Sequence, residues 1–361
     1  MRKACRPVTP TRTRRSVIVL VILILLLIAA ALVSCLVGQV HTTPQDVINT
    51  ILMSWGVEGD GSTSRIVSST LWEVRFPRLV LALVVGAGLG CAGALLQGIF
   101  ANPLAEPGII GVSSGGAVFA SGLLAITSLV GTDQSYVLLK WGTAVAAFIG
   151  ALLTTLLVYS LSRVQGKTVV VNLILVGVAV NAIAGGFITL FSFIGGTAAQ
   201  SQVVFWQFGS LAGAGWSSAV ITLIVTLMGI VIACLFSRKM DLLALGENQA
   251  QHLGVNVERF RFYIIIVVAA LVGVGVAFAG AIAFVGLVVP HAIRLLIGPQ
   301  HKWLLPTSAV GGAFVLLIAD TCARTIISTA ELPIGMLTSL VGGPVFLLLL
   351  RRYKSVGTGW Q

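Results

Sequence analysis

The chain has 361 residues, of which 57% are hydrophobic and only 9% charged, with a formal net charge of +11. An ordinary soluble domain is about 45–50% apolar and about 25% charged, so these figures exclude a soluble globular enzyme and place the chain in lipid. The 41 glycines lack a three-residue period and the five cysteines are scattered, which excludes collagen and a disulfide scaffold.

Uncharged apolar stretches of about 20 residues, the length that crosses a hydrocarbon core, predict ten spans. In chain order they lie near Val17 to Val37, Leu79 to Phe100, Ile109 to Val130, Trp141 to Leu161, Val169 to Ile194, Ser218 to Phe236, Phe262 to Gly280, Phe284 to Ile297, Leu304 to Ala319 and Ile334 to Leu350. The eighth is short and holds Pro290, His291 and Arg294, so it is either a span sheltered by neighbours or a re-entrant piece. Ten spans put both termini on one side. That side carries seventeen of the 22 basic residues, and only Arg65, Arg75, Arg78, Lys140 and Arg324 fall on the other. The positive-inside rule then makes both termini cytoplasmic and turns the net charge into a topology signal. No base-reading chemistry accompanies it, so nucleic acid is not an expected partner. The run Leu32-Val33-Ser34-Cys35 imitates a lipoprotein cleavage signal. Cleavage would break the charge bias, so a retained first helix is the expectation.

Sliding the sequence by 187 residues lays the small-residue helix 86–94 on 273–281, Pro103 on Pro290 and Gly111 on Gly298. The two spans run in opposite directions, as in the inverted duplications of transporters. The expected organisation is a basic N-terminus (1–16), one transmembrane domain (17–350) with repeat units of about 75–200 and 262–350, a cytoplasmic loop (237–261) and a C-terminus (351–361).

Several segments are informative in themselves. Prolines and glycines in Asn102-Pro103-Leu104-Ala105-Glu106-Pro107-Gly108 break a helix at membrane depth, which is tolerated only where protein or a water-filled cavity surrounds the backbone. Gly166-Lys167-Thr168 resembles the end of a phosphate-binding loop, but the glycine required five positions earlier is Leu161, so a short turn is expected and no ATPase. The loop 237–261 holds two short helical patterns separated at Gly246-Glu247.

Together with Arg75-Phe76-Pro77-Arg78, Pro290-His291, Asp320 through Arg324 and Glu331-Leu332-Pro333, these motifs make the chain, from about Arg75 to Leu350, resemble the FecCD-type permease subunits of type II ABC importers, which serve iron chelates, haem and vitamin B12. The Asn102 to Gly108 run is most similar to the haem and vitamin B12 branches. The resemblance implies an all-α, ten-helix, vitamin B12 permease-like fold in the bacterial cytoplasmic membrane. It also implies a homodimer with one central pathway, two cytoplasmic ABC ATPase subunits that hold ATP and magnesium, and an external substrate-binding protein. No intrinsic cofactor is implied; haem or a ferric chelate is cargo. Carried onto this sequence, Gly246, Glu247, Ala250, Leu253 and Gly254 couple to the ATPase, and Arg75, Arg78 and Arg324 meet acidic lobes of the binding protein. Asp320 offers Arg324 a partner four residues away, whereas Arg75 and Arg78 have only Glu73 nearby. The fifth and tenth spans line the pathway, which selects Asn172, Asn181, Ser192 and Thr197 on the former and Met336, Thr338 and Ser339 on the latter. Ferric-siderophore and vitamin B12 permeases are alternatives within the family. An intramembrane enzyme would need clustered catalytic groups, yet His41, His252, His291 and His301 are dispersed, and an ion-coupled carrier would need charges deep in the spans.

Overall fold

A computed structural model describes residues 10–38, 40–56, 63–130, 136–327 and 331–355. Arg2, Lys3 and Arg6 of the basic N-terminus therefore lie outside the described residues, as does Cys5. Among the described residues the fold is helical, with one two-stranded hairpin. In chain order the elements are α1 (Pro10–Leu36), α2 (Pro44–Ser54), α3 (Arg65–Ser69), a π turn (Thr70–Arg75), α4 (Phe76–Ile99), a 3-10 turn (Pro107–Ile110), α5 (Val112–Val130), α6 (Tyr136–Leu161), β1 (Arg163–Val164) and β2 (Lys167–Thr168). There follow α7 (Val170–Ile194), α8 (Gly196–Phe208), α9 (Trp216–Leu235), α10 (Ser237–Leu243), α11 (Glu247–His252), α12 (Val257–Ala279), α13 (Val285–Ile297), α14 (His301–Thr325) and α15 (Ile334–Ser355).

All ten expected spans are present as apolar helices, eight of them long enough to cross a membrane by length and composition and two, α13 and the apolar part of α15, shorter. The second is longer than expected, continuing without a break from Arg65 to Ile99. Pro77 lacks the N–H that an α-helix requires and its ring crowds the carbonyl four residues back; the wider π turn just before it absorbs that misfit and keeps the helix going. At about 1.5 Å per residue the 13 residues of α13 reach only about 20 Å, short of the roughly 30 Å core. The eighth segment is thus a sheltered short helix, packed on α4, α14, α15 and α1.

The core runs through α4, α12 and α14, whose windows are mostly buried, while α1 is almost wholly exposed along Val21, Leu25, Ile28 and Leu32. Glycines let backbones touch. A Cβ on Gly86 or Gly90 would meet the carbonyls of Gly312 or Ser308 at 2.4 and 2.1 Å, and one on Gly93 would meet the Gly286 carbonyl at 1.7 Å. Lipid supplies no hydrophobic drive between helices, so this close van der Waals contact is what holds them.

The packing has the symmetry that a duplication demands. α4 nests on α14 as α12 nests on α6; α4 meets α13 as α12 meets α5; and α5 against α6 and α7 matches α13 against α14 and α15. The 187-residue register is narrower than the sequence match suggests. Pro103 lies in the connection after α4 whereas Pro290 lies inside α13, and α12 ends at Ala279 where the α4 register would carry it on to Gly286. The correspondence holds for helix order and packing, not for that proline pair.

Candidate functional site: the two ends of the bundle and the open face of α7

The basic end gathers three connections. Between α6 and α7 the chain turns in two residues, Gln165 and Gly166, both with positive φ (49° and 81°), so Gly166-Lys167-Thr168 closes a β-hairpin, with Arg163 opposite Thr168. Beside it lie α10 and α11. Met240 is fully buried and Ala250 fully buried, so each short helix is anchored from within. Gly246 turns between them at φ 117°, a conformation that needs glycine, and Gly254 closes α11 at φ 85°. Leu245 and Leu253 are 61% and 60% exposed, an apolar pair turned away from the core. Of the five residues expected to couple, then, Leu253 presents a surface, Ala250 anchors, and Gly246 and Gly254 shape the turns. Glu247 is half exposed and reaches back to ion-pair with the buried Arg261. On the other side of α10, Asp241 accepts hydrogen bonds from the backbone N–H of His301 (2.8 Å) and contacts its Nδ1 (2.7 Å), fixing the start of α14. A carboxylate at a helix N-terminus meets the positive end of the dipole there.

At the opposite end the arginines are not the exposed cations that the sequence suggested. Arg75 and Arg78 are 6% and 5% exposed. Arg75 Nη1 donates to the Cys35 carbonyl and Thr42 Oγ1, both at 2.6 Å, and Nη2 donates to the Val40 carbonyl, so the side chain staples the α1–α2 connection. Arg78 Nε donates to Asp320 Oδ1 and Nη1 to both oxygens of Glu331, each at 2.9 Å. Arg324 ion-pairs with Asp320 at 3.2 Å, the expected i,i+4 contact, and donates to Ser34 Oγ at 2.8 Å. Sequence proximity concealed the partners of Arg75 and Arg78, which lie 33 to 40 and 242 to 253 residues away.

The pathway candidates separate into clasps and open positions. Asn181 Nδ2 donates to the Gly108 carbonyl at 3.1 Å and its Oδ1 accepts from Ser114 Oγ at 2.6 Å, while Gly177 sits against the Ile109 carbonyl. These residues bind α7 to the broken segment before α5. Ser192 Oγ donates to the Ile188 carbonyl of its own helix, and Thr338, buried, donates to the Gly335 carbonyl. Thr197 is not on α7: that helix ends at Ile194 and Thr197 belongs to α8, its side chain outside the described residues. Asn172, Met336 and Ser339 are half-buried. The open face of α7 is instead apolar and glycine-lined, with Val178, Ile183, Phe187 and Leu190 exposed and free space beside Gly185 and Gly186.

Glu106 lies in the interrupted segment and accepts from the Phe284 backbone N–H at 3.0 Å. Phe284 has φ 66°, unfavourable for a bulky side chain, and this bond links the break after α4 to the start of α13. A cavity of about 200 Å³ lies beside it, lined by Leu89, Glu106, Ser113, Val272 and Ile282 among others. A second, of about 470 Å³, lies between α5, α6, α8 and α12 and includes Lys140, Trp206 and Phe278. Among the described residues no three His, Cys, Asp or Glu side chains are grouped to hold a metal ion.

The model of the FecCD transport family matches residues 23–352. The chain is 41% identical to the hemin transport system permease protein HmuU of Yersinia pestis over 290 residues, covering 80% of this chain and 85% of that one. It is 40% identical to the cobalamin import system permease protein BtuC of Halobacterium salinarum over 293 residues, covering 81% and 75%. A solved structure described as an inward-facing conformation of a putative metal-chelate type ABC transporter superposes with a TM-score of 0.77 at 31% identity, covering 92% of this chain and 98% of that one.

Proposed function

Because the chain belongs to the FecCD transport family, we propose that this multi-pass membrane protein is the permease subunit of an ATP-driven importer whose cargo is an iron-containing chelate, haem ahead of ferric siderophores and vitamin B12. Similarity to a hemin permease supports haem, and the nearly equal similarity to cobalamin permeases keeps vitamin B12 as the second reading. The basic end and both termini lie in the cytoplasm of a bacterial cell in this reading, which the charge bias supports. Two copies meet through the open faces of α7 and α15, enclosing a pathway of weakly polar and apolar character. Such a lining suits a large amphiphilic cargo, because strong ligation would slow release.

The observation that carries this reading is the α10–α11 pair. Its helices are buried where they meet the spans, yet Leu245 and Leu253 stand exposed at the end that no lipid covers. An apolar pair on a rigid polar-rimmed mount is what a partner subunit needs as an anchor. Two cytoplasmic ATPases seat there and supply ATP and magnesium; the permease contributes no cofactor. At the far end an acidic external binding protein docks beside Glu331, whose carboxylate it displaces from Arg78, with Arg324 and Arg75 within the same layer. Reconstitution of the chain with an ATPase and a binding protein in vesicles tests the proposal. Haem should accumulate only with hydrolysable ATP; accumulation independent of ATP would refute it, and uptake of cobalamin instead of haem would select the second reading.

A further inference from the structure

The basic end contains a chain of charges, centred on a buried arginine, that links α11 to α7 through α12. Arg261, one turn into α12, has a side chain only 3% exposed. One arm of its fork ion-pairs with Glu247 at the start of α11, and Nη1 donates to Glu258 Oε1 at 3.2 Å. Glu258 then uses both oxygens on the hairpin: Oε1 accepts from the Thr168 backbone N–H at 3.1 Å and Oε2 from the Thr168 hydroxyl at 2.7 Å. Thr168 ends β2, two residues before α7 begins. Tyr159 near the end of α6 donates to the Glu258 carbonyl at 3.4 Å, holding the same turn of α12 from its other side.

Resting on the coupling role of α11 given above, we propose that Glu258, held by Arg261, is a positioning residue that carries displacement of α11 to the hairpin and so to the start of α7. A guanidinium fork constrains direction as well as distance, and the buried Arg261 head is held between two carboxylates, so a shift of one is passed to the other rather than absorbed. Glu258 is bidentate on one threonine, which couples it to both the backbone and the side chain at the root of α7.

Two shape-conserving variants, Glu258→Gln and Thr168→Val, test this in the reconstituted complex of permease, ATPase and binding protein. Thr168→Val leaves the backbone bond in place and so guards against a simple loss of folding. ATP hydrolysis should stay within about twofold of wild type while haem moved per ATP falls by about fivefold or more, the range expected when a coupling free energy is lost. Spin labels on Lys167→Cys and Leu235→Cys in a cysteine-free background report hairpin position without reference to cargo. Their separation should change on ATP trapping in the parent and stay fixed in both variants. The double variant should be no worse than the worse single one, as for two links in series. Wild-type transport per ATP, an unaltered label shift, or losses that multiply would overturn the proposal. A parent complex that neither binds the ATPase nor moves the hairpin would instead refute the coupling role of α11.

Discussion

Arg78 and Asp320, 242 positions apart, form a buried ion pair of 2.9 Å between α4 and α14, helices whose backbones also touch at Gly86, Gly90 and Gly312. Asp320 lies also within 3.2 Å of Arg324, so one carboxylate joins the cations of two helices. Truncating one member of a buried pair costs about 3–5 kcal/mol because the other charge is left uncompensated. Asp320→Ala should therefore destabilise the purified protein in detergent by about 3–5 kcal/mol, read as a markedly lower melting temperature, and Arg78→Glu should do at least as much harm. A stable, well-folded Asp320→Ala would contradict the central place given to this carboxylate.

Glu331 offers a gentler probe of the same layer. Its side chain is 39% exposed, so Glu331→Gln should leave folding nearly unchanged. If an acidic lobe of the binding protein competes for Arg78, removing the resident carboxylate should strengthen docking, most clearly at low ionic strength where charge steering is unscreened. Surface plasmon resonance across a salt series reads this; weaker docking would show that Glu331 itself makes the contact.

Two glycines should respond in opposite ways. Gly93→Ala forces a Cβ to within 1.7 Å of the Gly286 carbonyl, so helices α4 and α13 must separate, at a cost of about 1–3 kcal/mol. Gly185→Ala meets open space and relieves a helix of a flexible residue, a gain of roughly 0.5–1 kcal/mol in the monomer. Thermal unfolding of both variants, with oligomeric state measured alongside, checks the pair. Loss of the dimer in Gly185→Ala would place that glycine at the proposed subunit contact.

Leu253→Glu should separate coupling from folding. The side chain is 60% exposed and makes no part of the core, so the monomer should melt as wild type does. Affinity for the ATPase should fall by tenfold or more if Leu253 anchors it, since central apolar contacts typically cost about 2 kcal/mol or more when lost. Equal affinity in pull-down and in ATPase stimulation would remove Leu253 from the interface.

Labelling by a water-soluble thiol reagent tests the pathway. In a functional cysteine-free background, Thr189→Cys on the exposed face of α7 should react in at least one transport state and Ile24→Cys on α1 should not. Asn181 is the wrong site for this probe, because both ends of its amide are engaged. Reaction at position 24 with protection at 189 in both nucleotide-free and ATP-trapped states would place the pathway elsewhere.

Hydropathy revealed the helices because each span must satisfy its backbone internally and show lipid an apolar face, requirements written in single side chains. The turn at Gly166 and the two short helices about Gly246 were legible for a similar reason, since positive-φ turns select glycine, whereas the strand pairing that makes that turn a hairpin was not. Partner choice was not. Nothing local in Arg75-Phe76-Pro77-Arg78 reveals that Val40, Asp320 and Glu331 are the groups it meets, because those contacts arise only when distant helices pack. The same holds for Glu247, whose partner Arg261 lies beyond the next turn, and for the Asp241–His301 link. Asn181 is a polar residue that lipid would reject, and a hydrogen bond to a broken helix satisfies that demand as well as an aqueous path does.

The crossed nesting of α4 on α14 and of α12 on α6 bears on how the protein is made. Gly86, Gly90 and Gly93 belong to a helix inserted about 200 residues before α14 leaves the ribosome, an interval of about 10–40 s at about 5–20 residues per second. Through that time the flat, glycine-lined flank of α4 and the unneutralised guanidinium of Arg78 wait in the bilayer without their permanent neighbours. The protein's hazard during biosynthesis is therefore greatest in the first half of the chain. Neither half should mature when expressed alone, but co-expressed halves severed in the 209–215 connection should recover together, each completing the other.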